Sequence, residues 1–399
     1  MRNIFLAGST GSIGRNAAKV VDSNPLSLSI KGIAAGHYTQ EIKEQIIKFE
    51  PFYCVLSSKN EADKAKEDYE KYNIKLFNKS GYDTLFLYGE EGFKFAVSNY
   101  IFDLVLNAIS GSAGLMYSYY TLEAGKDLAL ANKESMVMAG EILNKIAKKN
   151  KVKIIPVDSE HSALFQCLKS GIKQDVKKLI LTASGGPFYD KDKNYFNNIT
   201  VEMALNHPKW KMGKKITVDS STLANKGLEI IEAAYLFGFK EDKIDVVIHP
   251  QAVVHSMVEF LDGSVIAQMG DADMKGPIGY ALSYPHRFHN LMKPIDLTKI
   301  TKLEFFAPDD EKFPFLRLAR YVLREGKSMP AVFCEANEIF VNSFLNNKIS
   351  FNKIAQNVES VLEKHRPFKL KTIEDVMQAK KQAESLSKKL ISGNLVSKL

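Results

Sequence analysis

Asp158, Glu160 and Glu229 are the residues of this 399-residue chain whose type and setting speak most directly of chemistry. Asp158 and Glu160 follow the apolar run Lys-Val-Lys-Ile-Ile-Pro-Val at 151–157, which its pattern predicts to be a buried strand. They would then stand at a strand's carboxyl end, where open α/β sheets take their ligands. Glu229 lies in a predicted helix, Thr222–Glu232. Asn225, Lys226 and Glu229 occupy positions i, i+1 and i+4 of it, so one face carries an amide, an ammonium and a carboxylate. Three acids without a neighbouring cysteine favour a hard divalent ion, Mg²⁺ or Mn²⁺, over zinc. The lysine and asparagine suit an anionic, oxygen-rich substrate. Acids also collect at helix starts, where they cap free N–H groups and meet the helix dipole. For Asp158 and Glu160 alone that is the commoner meaning; the helix carrying Glu229 tips the set toward a metal.

A second chemical signal stands at the front of the chain, where Gly8, Gly11 and Gly14 punctuate the passage from a strand at residues 3–8 into a helix ending near Asp22. Such a turn aims backbone N–H groups and the positive end of the helix at a pyrophosphate. The spacing differs from the GxGxxG fingerprint, but its place after the first strand of an alternating pattern predicts dinucleotide binding. After the second strand, Leu28–Ala35, the chain reads Gly36-His37-Tyr38-Thr39, with no acid before Glu41. An acid there would bond a ribose 2′-hydroxyl and repel a 2′-phosphate. Its absence favours NADP over NAD, with Gly36 allowing close approach and His37 able to donate to phosphate.

The elements that must position these residues follow a βαβ rhythm. A charged helix around Gln40–Phe49 and short strands at Tyr53–Leu56, Asp103–Ala108 and Leu128–Ala131 imply a parallel, doubly wound sheet. The character changes at residues 178–184 and 244–269. There Val246–Ile248, Ala252–Phe260 and Ser264–Met269, turned at Asp262-Gly263, predict a second, α+β domain. A proline-bearing connector leads to a helical tail with Ser350 and Thr372 as N-caps, apolar Ile354, Val358, Val361 and Leu362 at helical spacing, and Gly393 as a stop. The expected division is a Rossmann-like cofactor domain at 1–157, a catalytic, metal and dimerisation domain at 158–290, a linker at 291–310 and a C-terminal helical bundle at 311–399.

Composition narrows the class. The formal net charge of +8 comes from 54 basic and 46 acidic residues, mostly dispersed lysines with a concentration near the end (Lys380, Lys381, Lys388, Lys389, Lys398). No arginine stripe, RNA-binding signature or Cys/His finger accompanies it, so a solvated basic surface is expected rather than nucleic-acid binding. Cys54, Cys167 and Cys334 are odd in number and far apart, which fits a reducing cytoplasm. The first strand begins too early for a signal peptide, and no run approaches the roughly 18 apolar residues of a membrane span.

Further segments complete a series: Ala131-Asn132-Lys133-Glu134-Ser135, Pro156-Val-Asp-Ser-Glu-His161, Thr182-Ala-Ser-Gly-Gly-Pro-Phe188, His207-Pro-Lys-Trp-Lys-Met-Gly213 and Val218–Glu229. With the glycine loop in front, they closely resemble the 1-deoxy-D-xylulose 5-phosphate reductoisomerase family, from residue 3 to the helical tail. The resemblance implies an NADPH-dependent oxidoreductase making 2-C-methyl-D-erythritol 4-phosphate from a small phosphorylated sugar in non-mevalonate isoprenoid synthesis, with Mg²⁺ or Mn²⁺, in a cytoplasmic homodimer. It implies metal ligands at Asp158, Glu160 and Glu229. The implied substrate contacts are Lys133, Ser159, Glu160, Ser184, His207, Ser220, Asn225, Lys226 and Glu229. The implied cofactor contacts are Thr10, Gly11, Ser12, Ile13, Gly36, Asn132, Glu134 and Gly213, and His37 and Tyr38 occupy positions where the family often has lysine and asparagine.

Lys133, Glu160 and His207 are the expected catalytic residues: Lys133 donating to a developing oxyanion, His207 on a loop that excludes water with Trp210, and Glu160 exchanging protons, although a metal-bound carboxylate is a weak base. Lys209, Lys211, Lys214 and Lys215 are expected to be solvated or steering charges. His161 is expected to pack its helix, and His249 and His255 to be structural. Two other classes compete: a simple NAD(P)-dependent dehydrogenase of a phosphorylated metabolite, which needs no carboxylate cluster, and a non-catalytic nucleotide-binding protein, which needs no turnover.

Overall fold

The computed structural model describes residues 1–71, 81–100, 102–210 and 212–396, so Lys211 and Lys398 lie outside it. Two compact units emerge. The first comprises Met1–Asn132, Leu143–Ser162 and Asp273–Lys293, and the second Lys133–Ile142, Ala163–Ala272 and Pro294–Leu399.

The first unit begins β1 (Arg2–Ala7), α1 (Ser12–Asp22), β2 (Leu28–Ala35), α2 (Gln40–Phe49), β3 (Tyr53–Leu56) and α3 (Lys59–Lys71). It continues β4 (Leu85–Tyr88), α4 (Gly89–Asn99), β5 (Leu104–Asn107), α5 (Leu115–Glu123) and β6 (Asp127–Leu130). Then come α6 (Lys133–Asn150), β7 (Ile154–Pro156) and α7 (Ser159–Cys167); the division between the units falls within α6 and within α7. The strands lie in the order β4-β3-β2-β1-β5-β6-β7, all parallel. The chain reverses its direction of travel across the sheet between β1 and β5, the topological switch where open α/β sheets bind ligands. Apolar strands buried on both faces supply the core: Phe5 meets Phe93 and Phe102 edge to face, with ring centroids 5.0 and 5.2 Å apart. The sequence pattern missed β4, an edge strand of only four residues, because so short an apolar run, Leu-Phe-Leu-Tyr, carries no alternation to separate it from the helix that follows.

The second unit holds β8 (Val176–Ala183), α8 (Val201–Leu205), α9 (Lys214–Ser221), α10 (Ala224–Phe237), β9 (Ile244–Ile248), β10 (Val254–Phe260) and β11 (Val265–Met269). Its sheet runs β11-β10-β8-β9, with β8 and β9 parallel and the other pairs antiparallel. Gly263, at φ +86°, turns β10 into β11 as the Asp-Gly pair predicts. After α11 (Lys275–Ser283), which belongs to the first unit, the second unit resumes. Phe306 exchanges backbone hydrogen bonds with Ile248 of β9 at 2.8 and 2.9 Å, so this stretch is tied to the sheet.

The helical region comprises α12 (Pro314–Glu325), α13 (Met329–Leu345), α14 (Asn352–Lys364) and α15 (Ile373–Val396). Thr372 caps α15 in a reciprocal box with Asp375: the Asp375 N–H donates to Thr372 Oγ1 at 3.3 Å and the Thr372 N–H to Asp375 Oδ2 at 3.0 Å. Two terminus expectations fail. Phe351, not Ser350, precedes α14, and α15 runs through Gly393, because a glycine inside a helix costs only about 1 kcal/mol. No helix among the described residues is long and apolar enough to cross a membrane.

Candidate active site

In the first unit the glycine loop joins β1 to α1. Gly8 adopts φ +81°, and a Cβ on Gly14 would lie 2.2 Å from the Gly8 carbonyl oxygen, so the loop closes onto the start of α1 only with glycine there. Gly11 is the N-cap, and no acid stands in the first turn of α1 to oppose a phosphate. Thr10 and Ile13 are half-buried, while Gly11 and Ser12 are exposed. The backbone is shaped for the pyrophosphate of a dinucleotide.

At the end of β2, Gly36 and His37 are exposed, and nothing lies within 4 Å of where a Gly36 Cβ would be. Tyr38 does not face outward as a free donor: its hydroxyl donates to Asp68 Oδ2 at 2.5 Å and its N–H to Glu61 Oε2 at 2.7 Å. The sequence finds no acid in this stretch, yet the fold brings one from α3. Asn132 is also committed locally, its amide donating to the carbonyls of Ile109 and Gly111 at 2.7 and 2.8 Å. Asn107, which no sequence signal marked, fixes the same corner by donating to the Gly114 carbonyl and to Ser118 Oγ, both at 2.8 Å.

Asp158, Ser159 and Glu160 follow β7 at the carboxyl end of the parallel sheet, all half-buried. The Asp158 carbonyl accepts from Ser162 N–H at 2.8 Å, and Ser159 Oγ donates to Glu160 Oε2 at 2.5 Å. His161 is fully buried, with Nδ1 4.0 Å from Asp158 Oδ2.

In the second unit, α10 places Glu229 with no exposure at all. Glu229 Oε1 accepts from Lys133 Nζ at 3.1 Å and from the Asn225 amide. Oε2 accepts from Lys226 Nζ, which also donates to the Thr182 carbonyl at 2.5 Å. Lys133 Nζ reaches Asn225 Oδ1 at 2.7 Å as well. The i, i+1, i+4 face is therefore one hydrogen-bonded cluster. A buried carboxylate is tolerable only with such charged donors. The only groups here that can ligate a metal are oxygens, with no thiolate among them, which suits Mg²⁺ or Mn²⁺ rather than zinc.

A second cluster lies at the carboxyl end of β8. His207 Nε2 is 3.1 Å from both Ser184 Oγ and Ser220 Oγ, while Nδ1 accepts the N–H groups of Lys209 and Trp210 at 3.1 and 3.0 Å. Those backbone donors fix the tautomer: Nδ1 is unprotonated and the proton sits on Nε2. Burial lowers the imidazole pKa below its ordinary 6.5, consistent with a neutral ring. Gly186 permits this corner, since a Cβ there would lie 2.8 Å from the Ser220 carbonyl oxygen. Leu223, buried and left-handed at φ +57°, makes the tight turn from α9 to α10 that joins Ser220 to Asn225. Two hydroxyls and an imidazole N–H converge as a tetrahedral oxyanion requires.

Lys215 departs from expectation. Its ammonium lies 2.9 Å from Glu134 Oε1 and 2.7 Å from Asp219 Oδ2, and Asn337 Nδ2 donates to Asp219 Oδ1 at 2.8 Å. Burial works against the charge, but Asp219 and Glu134 outweigh it and raise the Lys215 pKa well above 10.5. Burial likewise pushes Glu134 up, and Lys215 more than reverses it. A sequence window cannot reveal a pair 81 residues apart. Gly213, the N-cap of α9, is exposed. His249 is structural as expected, its Nδ1 2.8 Å from the Glu304 carbonyl oxygen and its ring stacked on Phe305.

A parallel switch-point sheet with a phosphate-shaped glycine loop, together with a carboxylate–lysine cluster and an oxyanion-shaped cluster, defines a nucleotide-dependent oxidoreductase acting on an anionic metabolite. Family models described as 1-deoxy-D-xylulose 5-phosphate reductoisomerase match residues 4–140, and its C-terminal domains match 154–237 and 269–386. The chain is 46% identical over 392 residues to the 1-deoxy-D-xylulose 5-phosphate reductoisomerase of Endomicrobium trichonymphae, covering 98% of this chain and 100% of the relative. Against that of Thermodesulfovibrio yellowstonii it is 43% identical, again over 98% and 100%. A crystal structure of DOX-P reductoisomerase with NADPH, fosmidomycin and magnesium superposes with TM-score 0.91 at 38% identity, covering 98% of both chains. The Zymomonas mobilis enzyme with NADPH gives TM-score 0.89 at 35% identity over 98% of this chain and 99% of that one. The chain belongs to the 1-deoxy-D-xylulose 5-phosphate reductoisomerase family.

Proposed function

We propose that the chain works with these residues as an NADPH-dependent oxidoreductase that rearranges and reduces 1-deoxy-D-xylulose 5-phosphate to 2-C-methyl-D-erythritol 4-phosphate in non-mevalonate isoprenoid synthesis. The observation that carries this reading is the pair of clusters in the second unit, one basic and carboxylate-centred, the other oxyanion-shaped, in a chain of this family.

Asp158, Glu160 and Glu229 hold a Mg²⁺ or Mn²⁺ ion, and Thr10, Gly11, Ser12, Ile13, Gly36, His37, Tyr38, Asn132, Glu134 and Gly213 border the NADPH. When bound, the ion polarises adjacent carbonyl and hydroxyl oxygens and NADPH supplies the hydride. The chain's own groups do the rest. Ser184, Ser220 and the Nε2–H of His207 donate to the phosphate. Lys133, held between Asn225 and Glu229, donates to the oxygen that gains negative charge. Asn225, Lys226 and Ser159 orient the sugar, and Glu160, within reach of the Ser159 hydroxyl, exchanges a proton. The loop bearing His207 and Trp210 excludes water.

We assign the functional division to residues 1–157 for cofactor, 158–290 for catalysis and dimerisation, 291–310 as connector and 311–399 as helical domain. A homodimer and a cytoplasmic location complete the proposal, and three buried free cysteines support the location. The test is chelation paired with Glu229→Gln. EDTA should abolish turnover, with Mg²⁺ or Mn²⁺ restoring it, and Glu229→Gln should lower kcat/KM by about a hundredfold or more. Full activity in chelator would sink the metal assignment.

A further inference from the structure

Asn337 is a polar exception on a largely apolar, buried stretch of α13. Phe333, Cys334, Ala336, Phe340 and Val341 around it are fully buried, and so is Asn337 itself. A buried amide needs partners. Its Nδ2 donates to Asp219 Oδ1 at 2.8 Å, across 118 residues of chain, while its Oδ1 has no partner among the described residues. Leucine would fill much the same space without an unsatisfied oxygen, so what the amide adds to this helix is its hold on Asp219.

Asp219 is 1% exposed and held at both oxygens, since Lys215 Nζ lies 2.7 Å from Oδ2. α9, which carries both residues, has only eight, and its N-cap, Gly213, offers no side chain. A helix that short does not sustain itself, so tertiary contacts set its rotation. Ser220 follows Asp219 directly and points about 100° further round the axis, with its Oγ 3.1 Å from His207 Nε2. Fixing the Asp219 face therefore aims the Ser220 hydroxyl.

We propose that Asn337 is a positioning residue for the reaction: by holding Asp219 it fixes the rotation of α9, and with it the reach of Ser220 toward the substrate's phosphate. The helical region thereby contributes to substrate affinity without touching the substrate. The inference rests on the assignment of Ser184, His207 and Ser220 to the phosphate. Lys215 also holds Glu134, which is assigned to the cofactor, so Asn337 is the clamp whose loss isolates α9.

The experiment is steady-state kinetics of the full-length protein with 1-deoxy-D-xylulose 5-phosphate, NADPH and Mg²⁺, for the wild type, Asn337→Leu, Ser220→Ala and the double variant. Circular dichroism checks the folded state, and calorimetry gives the NADPH dissociation constant. Asn337→Leu should raise KM for the sugar phosphate about fivefold to tenfold, the scale of one weakened hydrogen bond to a charged group. Its kcat should stay within about twofold, because the phosphate contact is made in ground and transition states alike, and NADPH affinity should not change. In the Ser220→Ala background the same substitution should add less than about twofold to KM, since the group it positions is gone. If Asn337→Leu does not fold, Asn337→Ser, whose hydroxyl is too short to reach Asp219, carries the same comparison. If Asn337 merely packs α13, KM stays within about twofold of the wild type or shifts equally in both backgrounds, and either result overturns the proposal. Ser220→Ala with a wild-type KM overturns the phosphate assignment itself, and the inference with it.

Discussion

His207 shows how one side chain couples geometry to pH. Its Nδ1 accepts two backbone N–H groups of its own loop, an arrangement that an imidazolium cannot keep because both its nitrogens donate. The folded-state pKa is lowered by burial relative to the ordinary 6.5. The unfolded chain therefore takes up the proton more readily, and the stability gained from the capped loop is present above about pH 6.5 and lost as pH falls through the lowered value. Trp210 is the only tryptophan in the chain and stands within the loop, so its emission reports this site directly. Emission should be constant through neutral pH and shift as the solution is made acid. In His207→Gln the acid transition should vanish, and an identical transition in that variant would place the titrating group elsewhere. The residues of the two clusters in the second unit are of types that sequence singles out: Lys133, Ser184, His207, Ser220 and Glu229. The neighbourhood of Asn225 and Lys226 to Glu229 follows from their helical spacing, but nothing in a linear pattern says that Lys133, 96 residues away, joins them or that Tyr38 turns onto Asp68.

Elements divide into those that periodicity reveals and those that context decides. β2, α2 and β3 fall on the spans predicted from alternation and charge, since each is bounded by strong punctuation and buries a clear face. β4 escaped because four apolar residues in a row carry no period to read, and α15 overran its predicted stop because packing of its buried face outweighs one glycine. The glycine loop is different in kind: its requirement is steric. Gly14→Ala should force the Gly8 carbonyl away from the start of α1. NADPH binding measured by calorimetry should then fall by at least about tenfold, with a stability loss of about 1–3 kcal/mol from overpacking. Unaltered affinity would mean that the pyrophosphate does not sit there. Lys215 ties the segment that begins with Lys133 and Glu134 to α9 and, through Asp219 and Asn337, to α13. Lys215→Met would leave Glu134 and Asp219 buried without their cation and should cost about 3–5 kcal/mol in denaturant unfolding. A loss below about 1 kcal/mol would show that the pair behaves as a surface salt bridge.

The whole molecule combines a basic field with two anionic ligands. A net charge of +8, spread over dispersed lysines, raises the local concentration of a sugar phosphate and a dinucleotide without selecting either. Selection comes from the built sites, and their chemistry separates this protein from a plain dehydrogenase. Hydride transfer alone would need the glycine loop and a donor to the carbonyl oxygen. It would not need the buried Glu229 with Lys133, Asn225 and Lys226 around it, nor the hydroxyl–imidazole cluster. The central claim is thus that one chain both rearranges a carbon skeleton and reduces it. The most direct measurement incubates purified protein with 1-deoxy-D-xylulose 5-phosphate, NADPH and Mg²⁺ and identifies the product by NMR. Formation of 2-C-methyl-D-erythritol 4-phosphate with matching consumption of NADPH, and none in EDTA, is the predicted result. An unbranched reduced sugar phosphate, or NADPH consumption that persists in EDTA, would contradict it.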